Sequence, residues 1–159
     1  MTKAVQDLMV EVERVVDAFH TAVYSAEDLE AALALTTADC ALVSLPGAGN
    51  DGVVGGDLRR HLDENVLGHL PADLTFRRIS RTGNRWTVAD ETVVGFTHDR
   101  ELPWLLPGAA PTYRHAEVLA ISVVTVRRSR ITSHRTLWDH SGLLTQLRLD
   151  RPTLPAGTR

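Results

Sequence analysis

Three side chains that can move protons lie on extended, alternating segments of this 159-residue chain. Glu91 stands in the middle of the stretch Val88–Val94, and a carboxylate enclosed by an apolar pocket can serve as an acid or a base near neutral pH. His98 and His134 are imidazoles, the side chains best suited to acid–base work in that range. We take these three residues as candidate catalytic groups, and proton transfer as the chemistry that they predict.

Each of the three residues also has a structural interpretation. Glu91 can pair with an arginine such as Arg85 or Arg135 on the surface of a sheet. His98 precedes a proline-rich loop and can bond to the loop backbone, which would hold the loop closed. His134 can be a satisfied or exposed strand residue. The residue types alone leave these alternatives open.

Aromatic side chains near these groups are candidates for substrate contact. The rings of Tyr24, Trp104 and Trp138 can form flat walls for a polycyclic or polyene ligand, although the two indoles can equally be core residues. Asp139 can contact the substrate, or it can fix the turn after the last strand by accepting backbone N–H bonds. These four residues are therefore candidate substrate-binding residues.

Composition and spacing limit the other classes of function. The net charge of −3, with no basic excess, argues against nucleic-acid binding. No apolar run is long enough to span a bilayer, and no secretory segment is visible, so we expect no membrane partner and a cytoplasmic location. The histidines lack the His-x-His or His-x-x-x-His spacing of metal ligands, and we expect neither a metal nor another cofactor.

The elements that must position these groups follow from hydrophobic periodicity. Helical spacing predicts a long amphipathic helix over about 3–24, and two shorter helices follow it. From Leu74 the period changes to two, which predicts a series of antiparallel strands. This order is typical of an α+β domain. We expect one domain over 1–148 and a flexible C-terminal tail over 149–159.

The element order and three motifs resemble the SnoaL-like polyketide cyclase group of the nuclear-transport-factor-two-like superfamily. The motifs are Phe96-Thr-His-Asp99, Trp104-Leu-Leu-Pro-Gly108 and the segment from Ile131 to Leu147. The resemblance implies a cone-shaped barrel, in which a curved mixed or antiparallel sheet wraps the long helix and leaves a pocket between them. It also implies a small hydrophobic substrate and a homodimer through the outer face of the sheet. The superfamily includes cyclases, isomerases, dehydratases and epoxide hydrolases, and also members that only bind ligands or proteins.

The resemblance carries the catalytic residues of the group over only in part. SnoaL-type aldol cyclases use a His on the penultimate strand and an Asp on the last strand, and the matching positions here are Ser122 and Thr136. Neither hydroxyl is a general base at neutral pH, so these two residues become candidates for substrate binding. If Thr136 faces the pocket, alternation along the strand puts His134 and Trp138 there too. The epoxide hydrolases use an Asp-Arg-Asp constellation, and we cannot place one in this sequence.

The leading functional hypothesis is a cofactor-independent enzyme that acts on a hydrophobic, polyketide-like natural-product intermediate. Cyclisation, isomerisation or dehydration would be assisted by a pocket that folds the substrate into a reactive shape. The alternative is a non-catalytic protein of the same fold, which binds a small molecule or serves as an accessory protein. A third hypothesis is an interaction module whose pocket is filled by its own side chains.

Overall fold

The computed structural model describes residues 1–46, 53–54 and 56–151. Most of the predicted C-terminal tail, residues 152–159, lies outside the described residues. Within the described part, no helix is both long and apolar enough to cross a membrane.

The first helix, α1 (Lys3–Tyr24), forms as the spacing predicted. Thr2 begins it, because its hydroxyl accepts a hydrogen bond from the Val5 N–H at 3.4 Å. Six residues of one face are buried: Val12, Val15, Val16, Phe19, Ala22 and Val23. The shorter helical segments are α2 (Leu29–Ala34), α3 (Gly56–His61) with a π-helical turn (Leu62–Val66) after it, and α4 (His140–Gln146).

Within the residues that the structure describes, six strands form one mixed sheet in the order β2-β1-β6-β5-β4-β3. The strands are β1 (Thr36–Leu45), β2 (Val53–Val54), β3 (Thr75–Gly83), β4 (Thr87–Thr97), β5 (His115–Arg127) and β6 (Arg130–Trp138). Strands β1 and β6 are parallel, and every other neighbouring pair is antiparallel. The long helix packed on a mixed sheet confirms the α+β prediction.

The inner face of the sheet is set by the large apolar residues of β4. Val88, Val94 and Phe96 are buried and stand at even-numbered positions of this strand. Since side chains alternate between the faces of a strand, Asp90 and Thr92 share that inner face. The odd-numbered residues of β4 consequently lie on the outer face.

An extra residue in β3 changes which of its side chains point inward. Arg78 pairs with Thr92 and Ser80 pairs with Glu91, so Ile79 has no partner on β4. A bulge of this kind shifts the alternation by one residue, and both Arg78 and Arg81 therefore lie on the inner face.

The loop between β4 and β5 packs onto the core instead of extending into solvent. Leu102, Trp104, Leu105 and Leu106 are all buried. The Trp104 indole N–H donates to the carbonyl oxygen of His69 at 3.2 Å, which joins the loop to the segment after the π-helical turn. The loop therefore covers one end of the space between α1 and the sheet.

Candidate functional site

A cavity of about 240 Å³ lies between α1 and the inner face of β3 to β6. One part of its wall is apolar and aromatic, and another part is polar and charged. The residues that line it include Asp17, His20, Tyr24, Phe76, Arg78, Arg81, Asp90, Ser122, His134, Thr136 and Trp138.

Four polar side chains stand opposite one another on neighbouring strands and form a row across the sheet. Arg81 pairs with Asp90, Asp90 with Ser122, and Ser122 with Thr136. All four residues line the cavity. We refer to Arg81, Asp90, Ser122 and Thr136 as the polar row. It places two hydroxyls beside an ion pair, where they can donate hydrogen bonds to an oxygen of a bound molecule.

The ion pair of the polar row extends to helix α1. Arg81 Nε and Nη2 donate to the two carboxylate oxygens of Asp90 at 2.7 and 2.9 Å. Arg81 also donates to both oxygens of Asp17 on α1, at 2.7 and 3.2 Å. The hydrogen bonds to Asp90 and then Asp17 raise the pKa of Arg81. This Asp17–Arg81–Asp90 cluster fixes the helix to the sheet at the cavity, and both oxygens of Asp90 are already occupied.

His134 is a neutral imidazole in the cavity wall. Burial lowers its pKa to about 4, so it carries no charge at neutral pH. Its Nδ1 atom is buried and has no hydrogen-bond partner among the described residues. The ring contacts Phe19, with 5.7 Å between the ring centroids. A buried polar atom without a partner costs free energy, and a hydrogen-bonding group of a ligand would offset that cost.

His20 on α1 contributes a second imidazole to the cavity. Burial lowers its pKa below the ordinary value of 6.5, while the charges of Asp17 and Asp90 oppose that shift. Its ring packs edge-on against Phe76, with 4.4 Å between the centroids. Two carboxylates, those of Asp17 and Asp90, would stabilise its protonated form, whereas His134 feels only the charge of Asp90. Of the two imidazoles, His20 is therefore the better proton acceptor.

Aromatic rings form the apolar wall. Tyr24 lies 4.8 Å from Phe76 and 6.4 Å from Trp104, measured between ring centroids. Trp104 lies 6.0 Å from Trp138. The Trp138 indole N–H donates to Ser44 Oγ at 3.0 Å, so this indole presents its apolar surface to the cavity. Burial raises the pKa of Tyr24 to about 12, which keeps its hydroxyl protonated.

Several solved structures share this fold, although no family model and no curated protein matches the chain. A proposed SnoaL-like polyketide cyclase from Jannaschia sp. CCS1 has a TM-score of 0.72 at 14% identity, with 91% of this chain and 96% of that one covered. IdmH, a proposed polyketide cyclase from Streptomyces antibioticus, has a TM-score of 0.66 at 22% identity, with 86% and 97% covered. An LEH-like epoxide hydrolase from Mycobacterium tuberculosis has a TM-score of 0.63 at 17% identity, with 89% and 92% covered. The chain has the SnoaL-like fold.

Within this SnoaL-like fold, two of the three candidate catalytic residues lie outside the cavity. Glu91 occupies an odd-numbered position of β4 and accepts a hydrogen bond from Ser80 on the outer face at 3.2 Å. Glu91, a candidate catalytic group, therefore lies away from the pocket, and the neighbouring Asp90 lines the cavity in its place. His98 is fully buried at the end of β4 but is not part of the cavity wall.

His98 instead holds the loop between β4 and β5. Its Nδ1 atom accepts the Thr112 N–H at 3.3 Å, and its backbone N–H donates to the Arg114 carbonyl oxygen at 2.9 Å. Its Nε2 atom has no partner among the described residues, and burial lowers its pKa. These contacts correspond to the loop-closing interpretation that the sequence had left open.

The candidate substrate-binding residues divide in a similar way. Tyr24, Ser122, Thr136 and Trp138 line the cavity together with His134. Trp104 lies behind the Tyr24 and Trp138 rings. Asp139 lies outside the cavity, and its exposed carboxylate begins α4 by accepting the Gly142 N–H at 3.1 Å. In the described ranges, no three His, Cys, Asp or Glu side chains are grouped to hold a metal ion.

The charged part of the cavity is not among the residues predicted from the sequence. Asp90 could have been found, because three of the four large apolar residues of β4, Val88, Val94 and Phe96, share its even phase. Arg81 carried no such signal, since its inward position depends on the bulge at Ile79. The resulting Asp17–Arg81–Asp90 cluster joins α1, β3 and β4, and no spacing within the sequence indicates it.

Proposed function

We propose that the chain is a cofactor-independent enzyme that rearranges a small, ring-containing hydrophobic substrate by cyclisation, isomerisation or dehydration. The observation that carries this proposal is the unpartnered, buried nitrogen of His134 in a cavity that also holds His20 and the two hydroxyls of the polar row. Proton-transfer groups beside an aromatic wall suit a substrate with an acidic C–H bond next to a ring.

The two imidazoles have different roles in this proposal. His20 removes the proton, and the carboxylates of Asp17 and Asp90 stabilise the imidazolium that forms. His134 stays neutral and can donate a hydrogen bond to the developing oxyanion. Ser122 Oγ and Thr136 Oγ1 can donate to the same oxygen. The reaction then needs no group beyond the side chains of the chain itself.

The cavity volume limits the size of the substrate. Pockets for drug-sized ligands usually measure about 300–1,000 Å³. A volume of about 240 Å³ suits one ring or two fused rings better than a larger polycycle. Within such an enclosure, the Tyr24, Phe76 and Trp138 rings would hold a flexible precursor close to its reactive shape.

The proposal can be tested with 5-nitrobenzisoxazole, a flat bicyclic compound whose ring opens when a base removes its C–H proton. We expect His20→Gln to lower kcat/KM by about 100-fold, the typical contribution of a positioned base. The rate should rise with pH through the lowered pKa of His20 and be constant above it. His115→Gln is the matched control, because His115 is exposed on β5 and lies outside the cavity.

A non-catalytic ligand-binding protein is the second candidate. It is favoured by Ser122 and Thr136, which stand where the resemblance puts the His and Asp of the aldol cyclases. Binding of 5-nitrobenzisoxazole without acceleration over buffer would support this candidate and contradict the enzyme.

We also propose a homodimer through the outer face of the sheet. Leu119, Ile121 and Val123 alternate along β5, and Leu137 on β6 pairs with Ile121. These four residues form the outer apolar strip, and all of them are exposed, Leu137 to 55%. An apolar strip of adjacent strands is a surface that a second copy of the chain can cover.

A further inference from the structure

Arg78 is a charged residue of the cavity that neither the polar row nor the proposed proton transfer uses. It stands two residues after Phe76 on the same face of β3, and both line the cavity. Its side chain is 50% exposed. The guanidinium therefore lies where the aromatic wall meets solvent.

The acid nearest to Arg78 is already engaged by another arginine. Asp17 accepts hydrogen bonds from Arg81 at 2.7 and 3.2 Å, whereas Arg78 Nη1 approaches it only to 3.9 Å. Asp90 is likewise bound through both oxygens by Arg81. Arg78 makes no side-chain hydrogen bond to the residues that the structure describes. Its planar set of N–H donors is thus open on the cavity side, and that geometry matches the two oxygens of a carboxylate.

We infer that the substrate carries a carboxylate, which Arg78 binds while the attached rings lie among Phe76, Tyr24 and Trp138. The inference rests on the proposed function, because it requires that the cavity bind a small ring-containing molecule. A carboxylate fits better than a phosphate ester, because a second negative charge would lie close to Asp17 and Asp90. Arg78 would then fix the orientation of the substrate relative to His20 and His134.

The adjacent residue provides a control of the same type. Arg77 is also an exposed arginine on β3, and it pairs with Val93, an odd-numbered residue of β4, so that it lies on the outer face. Removal of either charge changes the net charge of the chain by the same amount. Of these two arginines, only Arg78 lines the cavity and can contact a ligand there directly.

The test measures the dissociation constants of 2-naphthoate, methyl 2-naphthoate and 2-naphthyl phosphate by calorimetry. We expect wild-type protein to bind 2-naphthoate about five- to tenfold more tightly than the methyl ester, the range for a partly exposed charge-assisted pair. Arg78→Gln should abolish this preference and leave binding of the ester unchanged. Arg77→Gln should retain the preference.

Each other outcome contradicts a defined part of the inference. Equal binding of acid and ester, or a preference that survives in Arg78→Gln, would exclude the Arg78 contact while leaving the proposed function intact. Tighter binding of the phosphate would exclude the carboxylate. If neither the acid nor the ester binds at all, both the inference and the proposed ring-binding cavity are wrong.

Discussion

The burial of His134 makes a quantitative prediction about acid stability. The pKa of this residue falls from 6.5 to about 4, because burial disfavours the charged ring. The unfolded chain, whose histidines titrate near 6.5, therefore takes up the proton first as the pH falls. The stabilisation is fully present above pH 6.5 and is lost between about pH 6.5 and 4.

The magnitude follows from the size of the pKa shift. At about 1.4 kcal/mol per pKa unit, the shift corresponds to a loss of about 3 kcal/mol between neutral pH and pH 4. Because part of the ring surface is accessible from the cavity, the measured loss should be about 2–3 kcal/mol. Such a loss is a large fraction of the stability of a typical domain, about 5–15 kcal/mol.

The assay compares urea unfolding of wild-type protein and His134→Asn at several pH values between 7 and 4. Asparagine keeps a hydrogen-bonding side chain but does not titrate. The free energy of unfolding of His134→Asn should therefore fall less between pH 7 and 4 than that of the wild type. His20, His61 and His98, whose pKa values burial also lowers, are present in both proteins, so most of their contribution cancels in the difference. His115→Asn, at an exposed position, should flatten the curve much less than His134→Asn does. Parallel curves for wild type and His134→Asn, or an NMR titration midpoint of His134 near 6.5, would refute the argument.

Two further predictions concern the charge cluster and the outer apolar strip. Asp90→Asn should lower the free energy of unfolding by about 2 kcal/mol, because Arg81, whose side chain is only 12% exposed, keeps Asp17 but loses its second carboxylate. Asp17→Asn changes a carboxylate that is 58% exposed and should cost less than about 1 kcal/mol, and equal losses in urea unfolding would contradict this ranking. Leu137→Glu should convert a dimer into a monomer in sedimentation velocity, and a wild-type chain that already sediments as a monomer would count against the proposed dimer.

The fold could be predicted because its signals are local and repeated. The apolar residues of α1 recur at helical spacing over six turns, and the strands from Thr75 onward alternate with a period of two. Both patterns remain recognisable when the predicted ends of a helix or strand are wrong by one or two residues. The motifs of the resemblance then selected one α+β arrangement, and the comparison structures agree with it.

The site was harder to predict, because a shift of one residue in the pairing of two strands changes which side chains face the cavity. Glu91 and Asp90 are adjacent acids, and a change of one residue in the phase of β4 decides which of them faces the cavity. The bulge at Ile79 has no clear sequence signal, yet it turns Arg81 inward and creates the ion pair with Asp90. His98 shares the inner phase of β4, but the following loop covers it. The burial of His98 by this loop depends on tertiary packing, which the periodicity of the sequence does not indicate.

The proposed function uses β6 differently from the aldol cyclases that the chain resembles. The resemblance places the acidic residue of those enzymes at Thr136, and here the titratable group stands two residues earlier on the same face of β6. Two residues of strand correspond to about 7 Å, so the imidazole of His134 stands about that far along the cavity wall from Thr136. The displacement brings the imidazole against Phe19 and toward the helix that carries His20. The reacting carbon of the substrate should therefore lie next to α1, with its rings extending toward Trp138.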